Sequence, residues 1–306
     1  MPSSVSDAAP VVIPESDDLG GATIVLVLNL VVIVLHGYNF FCTLGWIRKR
    51  DSTYVEEFDV KLMQRIGLLS AGRVVFVLFE VFGLLHRTPL FFYWPLRELP
   101  TYAYWRNLLA ILELWGLSTL PQLRGQANAS PLLSRILSIL SVSLKVFFSC
   151  YVGLRIYPSL AEWLLWAISM GIYPVTQDTA ELWLKAAYGM GLVFLSSCLG
   201  VGFVVLLGPL VASLLYPPSP GITRQHSAME RSVSISKIRW TVFAIVSALA
   251  LDLVLSLTFV LNLVTKDTTS ELARTAVRLG EAIVVWSILW AYSFDASSAM
   301  ERTKSR

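Results

Sequence analysis

The sequence predicts an all-α, polytopic membrane bundle of about seven transmembrane helices. Three observations carry that prediction. Of the 306 residues, 55% are hydrophobic and only 15% charged, where a soluble domain keeps about 25% charged. The mean hydropathy is +0.65. The apolar residues also fall in long runs separated by short polar segments, the pattern of bilayer-crossing helices. A chain of this length fills one bundle and leaves no room for a separate soluble domain.

The elements follow in order. Residues 1–20 are acidic and rich in Pro and Ser, and are expected to form a disordered lumenal tail. No basic n-region precedes the first apolar run, so that run reads as a retained span rather than a signal peptide. Span one covers 22–46, GATIVLVLNLVVIVLHGYNFFCTLGW, and ends at Arg48, Lys49 and Arg50. These three bases, set against Asp7, Glu15, Asp17 and Asp18 upstream, place the N-terminus outside and residues 48–63 in the cytosol. Span two, 64–86, returns outward. Residues 87–100, RTPLFFYWPLRELP, read as a proline-broken outer loop whose Phe91, Phe92, Tyr93 and Trp94 suit the headgroup belt.

Span three, 101–121, ends at Pro121. The inner loop after it contains Asn128-Ala129-Ser130, formally a glycosylation acceptor; the following Pro131 and its cytosolic side argue against use. Span four, 132–157, carries Lys145. Residues 158–173, between Pro158 and Pro174, are too short for a span. Trp163, Trp166 and Tyr173 predict an interfacial or re-entrant helix there. Span five, 182–215, is rich in small residues, and Ser196 with Gly200 gives a small-xxx-small spacing for close helix packing. The loop 216–239 is basic. Span six, 240–264, holds Asp252, and span seven, 274–294, holds Arg278 and Glu281 before a cytosolic tail, 297–306. Seven spans put every basic segment on the cytosolic side, with N-terminus lumenal and C-terminus cytosolic; an eighth at 158–173 would not.

The charges inside these spans are the informative residues, because an unpaired charge in hydrocarbon is costly. Spans two and three each carry an Arg followed seven residues later by a Glu: Arg73 and Glu80, then Arg106 and Glu113. With a rise of about 1.5 Å per residue, Arg73 and Glu113 both fall roughly 3 Å inside the midplane, and Glu80 and Arg106 roughly 7 Å outside it. The expectation is two cross-helix ion pairs, Arg73–Glu113 and Arg106–Glu80, with Lys145 matched to Asp252 by the same reasoning. Acids that escape pairing are candidate proton donors: Asp252 and Glu281 first, then Glu80 and Glu113. Trp94, Trp115, Trp286 and Trp290 are the candidate aromatic walls of a substrate site.

Other chemistries find no support. His36, His86 and His226 have no metal-type spacing, and there is no HExxH, CxxC or DxxxD repeat. The reading therefore implies no metal and no cofactor. Cys42, Cys150 and Cys198 lie in apolar context and read as packed thiols. The net charge of +3 is explained by short basic loops and does not point to nucleic acid.

In span number, size and the presence of Glu80, Glu113, Asp252 and Glu281, the chain resembles the small integral-membrane terpene cyclases of fungal secondary metabolism. That resemblance implies a metal-independent cyclase or isomerase acting on an isoprenoid or other lipophilic intermediate. It also implies residence in the endoplasmic reticulum beside other membrane-bound biosynthetic enzymes. The alternatives are a non-catalytic accessory or scaffold protein, a seven-span receptor and a transporter. Against a receptor, span three lacks a DRY-like triplet and span seven an NPxxY-like run. Against a transporter, no inverted repeat is visible.

Overall fold

A computed structural model describes residues 19–48, 57–115, 131–170, 175–215, 235–265 and 271–291. Among them are eight α-helices, one short 3-10 turn and no strand. The helices are α1 (Leu19–Arg48), α2 (Glu57–Val81), α3 (Leu90–Leu114), α4 (Pro131–Ile156), α5 (Pro158–Ile168), α6 (Gln177–Leu215), α7 (Ile235–Thr265) and α8 (Glu271–Ala291). The N-terminal tail, the Asn128 triplet, most of the loop 216–239 and the C-terminal tail lie outside the described residues.

Five helices contain a stretch long and apolar enough to cross a membrane: Thr23–Arg48, Val60–Val81, Ser134–Ile156, Gln177–Leu206 and Lys237–Leu261. The chain is a multi-pass helical membrane protein in kind. The predicted third and seventh spans are also helices, α3 and α8, but they carry too many charges to qualify on hydropathy. Arg97, Glu98, Arg106 and Glu113 lie on α3, and Arg274, Arg278 and Glu281 on α8.

The long helices close into a ring in which α1 packs on α2, α2 on α3, α3 on α4, α6 on α7, α7 on α8, and α8 back on α1. Neighbours run antiparallel except α1 and α8, which run parallel where the ring closes, Asn29 meeting Arg278 and Asn39 donating to the Ala282 carbonyl. Thr43 of α1 meets Gly67 of α2, and Asn29 of α1 and Glu80 of α2 both meet Arg278. Thr241 on α7 bonds the Ser287 carbonyl on α8, and Leu251 of α7 lies over Gly280. The seam between α4 and α6 is the sparsest in the ring. One main core fills the interior, including Ile66, Leu108, Trp115, Leu144, Phe203 and Ile245. The burial alternates along each helix with the period expected of one inward face.

Close approach needs glycine at several points of α6, Gly191 and Gly202 among them. A Cβ on Gly202 would sit 2.6 Å from Leu112, and one on Gly191 would sit 2.3 Å from the Phe147 ring. Both belong to the small-residue run of α6.

The main departure from the sequence reading is at residues 87–100. A 3-10 turn (Leu84–Arg87) follows Gly83, whose φ of 66° suits glycine, and α3 then starts at Leu90 after Pro89. Pro95 and Pro100 lie inside α3 rather than ending it. Each removes one backbone donor, a loss a helix held by neighbours on both sides can absorb. Pro100 lies directly over Gly72 of α2, at the distance of a tight contact for any added Cβ, 3.0 Å. The short helix α5 is 11 residues long and buries none of them. Trp163 and Trp166 on it are 60% and 51% exposed, the distribution of a segment lying along an apolar phase.

Candidate functional site

The interior of the ring carries a polar centre contributed by five helices. Arg73 of α2 grips Glu281 of α8 in a bidentate pair: Nε donates to Oε2 at 2.9 Å and Nη2 to Oε1 at 2.7 Å. The same Nη2 donates to the Thr101 hydroxyl of α3 at 3.0 Å. Both partners are almost fully enclosed, at 5% and 2% side-chain exposure. Parallel N–H···O bonds of this kind fix geometry as well as charge. Nearer the end of the ring where α8 begins, Arg278 pairs with Glu80 of α2, its second contact measuring 3.2 Å, and reaches Asn29 of α1 at 3.4 Å. His36 of α1 is fully buried within electrostatic reach of Arg73.

Asp252 of α7 faces this centre. It is buried and lies within electrostatic reach of both Glu281 and Arg73. Tyr104 of α3 is buried near Asp252 and Glu281, and its hydroxyl has no hydrogen-bond partner. Three acids are buried among the described residues, Glu98, Asp252 and Glu281. Glu281 is held by Arg73, and Glu98 by Arg97 and Tyr188. Among the described residues Asp252 has neither an ion pair nor a hydrogen bond.

The predicted ladder between spans two and three is replaced by a different one. Arg73 pairs with Glu281 rather than Glu113, and Glu80 pairs with Arg278 rather than Arg106. The cause is the start of α3. A helix over Leu90–Leu114 is centred on residue 102, nine residues before the expected midpoint. Thr101 therefore lies level with Arg73, and Arg106 and Glu113 fall toward the other end, where both lie near Arg65. Lys145 and Asp252 do not pair either. Lys145 is exposed on the outside of α4, while Asp252 is buried inside the ring.

The four tryptophans separate. Trp115 is buried in the main core at the end of α3. Trp94 is buried near the start of α3, stacked under Arg155 at 4.3 Å and Arg97 at 5.2 Å. Trp286 and Trp290 are 47% and 37% exposed and do not line the interior. Val285, Ser287 and Ile288 take the buried positions of that turn, so the helical phase turns both indoles outward. Cys42, Cys150 and Cys198 are free thiols, and Cys150 is exposed rather than packed.

Glu98 is the site residue that sequence reasoning passed over, because the segment holding it was read as a loop. The Tyr188 hydroxyl donates to its Oε2 at 2.7 Å, and Arg97 lies 3.2 Å from its Oε1. The signal was present as a run of bulky residues, LFFYWPLRELPTYAYW, that Pro89 opens as a helix start and that Pro95 and Pro100 interrupt without ending.

The architecture and its polar centre define a class: a multi-pass helical membrane protein with ionisable residues inside the bundle. Comparisons with protein-family models, curated proteins and solved structures give no match for this chain.

Proposed function

We propose that the protein is a membrane-embedded acid–base enzyme, a cyclase or isomerase acting on an isoprenoid or similar lipophilic substrate, with Asp252 as proton donor. The carrying observation is that Asp252 is a buried acid with no ion pair or hydrogen bond among the described residues, within electrostatic reach of Tyr104, whose hydroxyl is also partner-free. In a water-poor interior, a carboxyl group with no cation of its own is held in its neutral form. A neutral carboxylic acid is the group that protonates an alkene or opens an epoxide.

The substrate's π electrons take the Asp252 proton, forming a C–H bond and leaving Asp252 as carboxylate and the substrate as a carbocation. The cation migrates through the chain as rings close. A proton from the carbon beside the final cation then returns to the carboxylate, restoring the acid and leaving an alkene. Net, this is an isomerisation with no redox change. Glu281, held by Arg73, which Thr101 braces, places carboxylate oxygens near the developing cation. The Tyr104 ring offers a π face to the same charge.

This reading includes seven spans with a lumenal N-terminus and a cytosolic C-terminus, and a place in the endoplasmic reticulum among enzymes that supply lipophilic intermediates. The second reading, a non-catalytic scaffold, draws on the two buried Arg–Glu pairs, which lock α2 to α8 whatever the chemistry. The deciding experiment is microsomal expression with polyprenylated phenol and indole substrates, comparing wild type with Asp252→Asn. Product from wild type and about a hundredfold less from the variant supports the enzyme, a general acid being worth about that much or more. Equal product from both removes Asp252 as the donor.

A further inference from the structure

The α4–α6 seam differs from the rest of the ring. The other neighbours pack along their backbones, whereas α4 and α6 meet through aromatic side chains. Tyr188 of α6 stacks on Tyr151 of α4 at 4.1 Å between centroids and on Phe147 at 5.9 Å. Phe148 meets it edge-on at 6.3 Å. Behind these rings lies Glu98, 2% exposed, with the Tyr188 hydroxyl on its Oε2. Outside them the flanking residues are bare apolar side chains, with Val142 and Val146 on α4 and Met190 and Phe194 on α6 all more than half exposed. At one end of the seam a small cleft of about 50 Å3 opens between α4, α5 and α6, lined by Arg155, Ala161, Glu181 and Leu184.

We propose that this seam is a lateral binding site for a hydroxyl-headed lipid with an unsaturated chain, which enters from the bilayer and sets its hydroxyl on Glu98 in place of Tyr188. The chemistry of the parts selects that class. A buried carboxylate that already accepts an O–H bond accepts another from a hydroxyl head of the same kind. Stacked ring faces suit the flat, polarisable units of an unsaturated chain better than a polar one. The route is a side-chain route: Tyr188 turning on its own torsions opens it, with no helix displaced, and rotamer changes are far cheaper than parting two packed helices. Glu98 also lies within electrostatic reach of Glu281 in the polar centre. The inference rests on the reading of a lipophilic substrate but does not need catalysis.

The test uses full-length protein in lipid nanodiscs and oleyl alcohol carrying a photoactivatable diazirine on its chain. Adducts are expected at Phe147, Tyr151 and Tyr188. Unlabelled oleyl alcohol should suppress them at concentrations about tenfold or more below those of its O-methyl ether, since the ether has no proton to donate to Glu98. Glu98→Gln should shrink that difference, since its amide oxygen accepts without the carboxylate's charge. Adducts spread evenly over outward residues such as Val142 and Phe194, or equal competition by alcohol and ether in the wild type, would overturn the proposal. The wild-type ratio decides the matter even if Glu98→Gln fails to fold. Because binding is read without turnover, failure here leaves the Asp252 experiment standing, and the reverse holds too.

Discussion

Removing one partner of the Arg73–Glu281 pair should cost far more than removing both. The pair is bidentate at 2.7 and 2.9 Å, and its side chains are 5% and 2% exposed. Two unit charges about 4 Å apart at an effective dielectric of about 20 attract by about 4 kcal/mol. Breaking a buried pair from one side, which strands the other charge, costs about 3–5 kcal/mol. Arg73→Met and Glu281→Met should each destabilise the bundle by that amount. The double variant should lose much less than the sum, because two apolar side chains fill the place of the pair. The assay is a double-mutant cycle on detergent-induced unfolding followed by tryptophan fluorescence, with an expected coupling of about 3 kcal/mol. Coupling below about 0.5 kcal/mol would mean the two residues do not act as a pair. Arg73→Met combined with Glu113→Gln is the control; there the costs should add within about 0.5 kcal/mol, since Glu113 is not Arg73's partner.

Three further outcomes follow from the same geometry. Glu80→Gln should destabilise by about 1 kcal/mol in the same unfolding assay, less than loss of Glu281, because Glu80 is 23% exposed and partly screened. Gly191→Ala forces a Cβ to within 2.3 Å of the Phe147 ring and should cost about 1–3 kcal/mol, with the Phe147–Tyr188 stack disturbed; a stability equal to wild type would show that the ring moves freely. Trp286→Ala, on the outside of α8, should change stability by no more than about 0.5 kcal/mol, and a loss of several times that would place the indole in a packed contact.

The helical type of the long elements was legible in the sequence, and five of them, each an apolar run with its own length signal, qualify as membrane spans. Span boundaries at α1, α4, α6, α7 and α8 need shifts of only a few residues. What was not legible was pairing, and one cause accounts for most of it. Pro95 and Pro100 read as breakers, since proline ends helices in water, but here Pro100 lies against Gly72 and α3 runs through both. Starting α3 at residue 101 moved its centre, and with it the depth of Arg106 and Glu113. Depth matching also assumed that consecutive spans pair, whereas ring closure brings α8 onto α1 and next to α2, so Arg73 and Glu80 find partners some two hundred residues away. A local pattern cannot encode a contact made by closing a ring. The same error hid Glu98 by leaving it in a supposed loop.

Asp252 brings stability and function into opposition, and that opposition is itself measurable. A buried carboxyl with no hydrogen bond and no ion pair is a net cost to the bundle, since nothing returns its lost solvation. If the residue served only to hold α7 against its neighbours, replacing it would weaken the fold, as replacing Glu281 is expected to do. If instead it is kept as a proton donor, an apolar replacement of similar size relieves the cost. Asp252→Leu is therefore expected to raise stability by about 1 kcal/mol in the unfolding assay while abolishing product. A destabilised Asp252→Leu protein would show that the carboxyl is satisfied within the fold, and Asp252 would then be a structural residue rather than the proton donor.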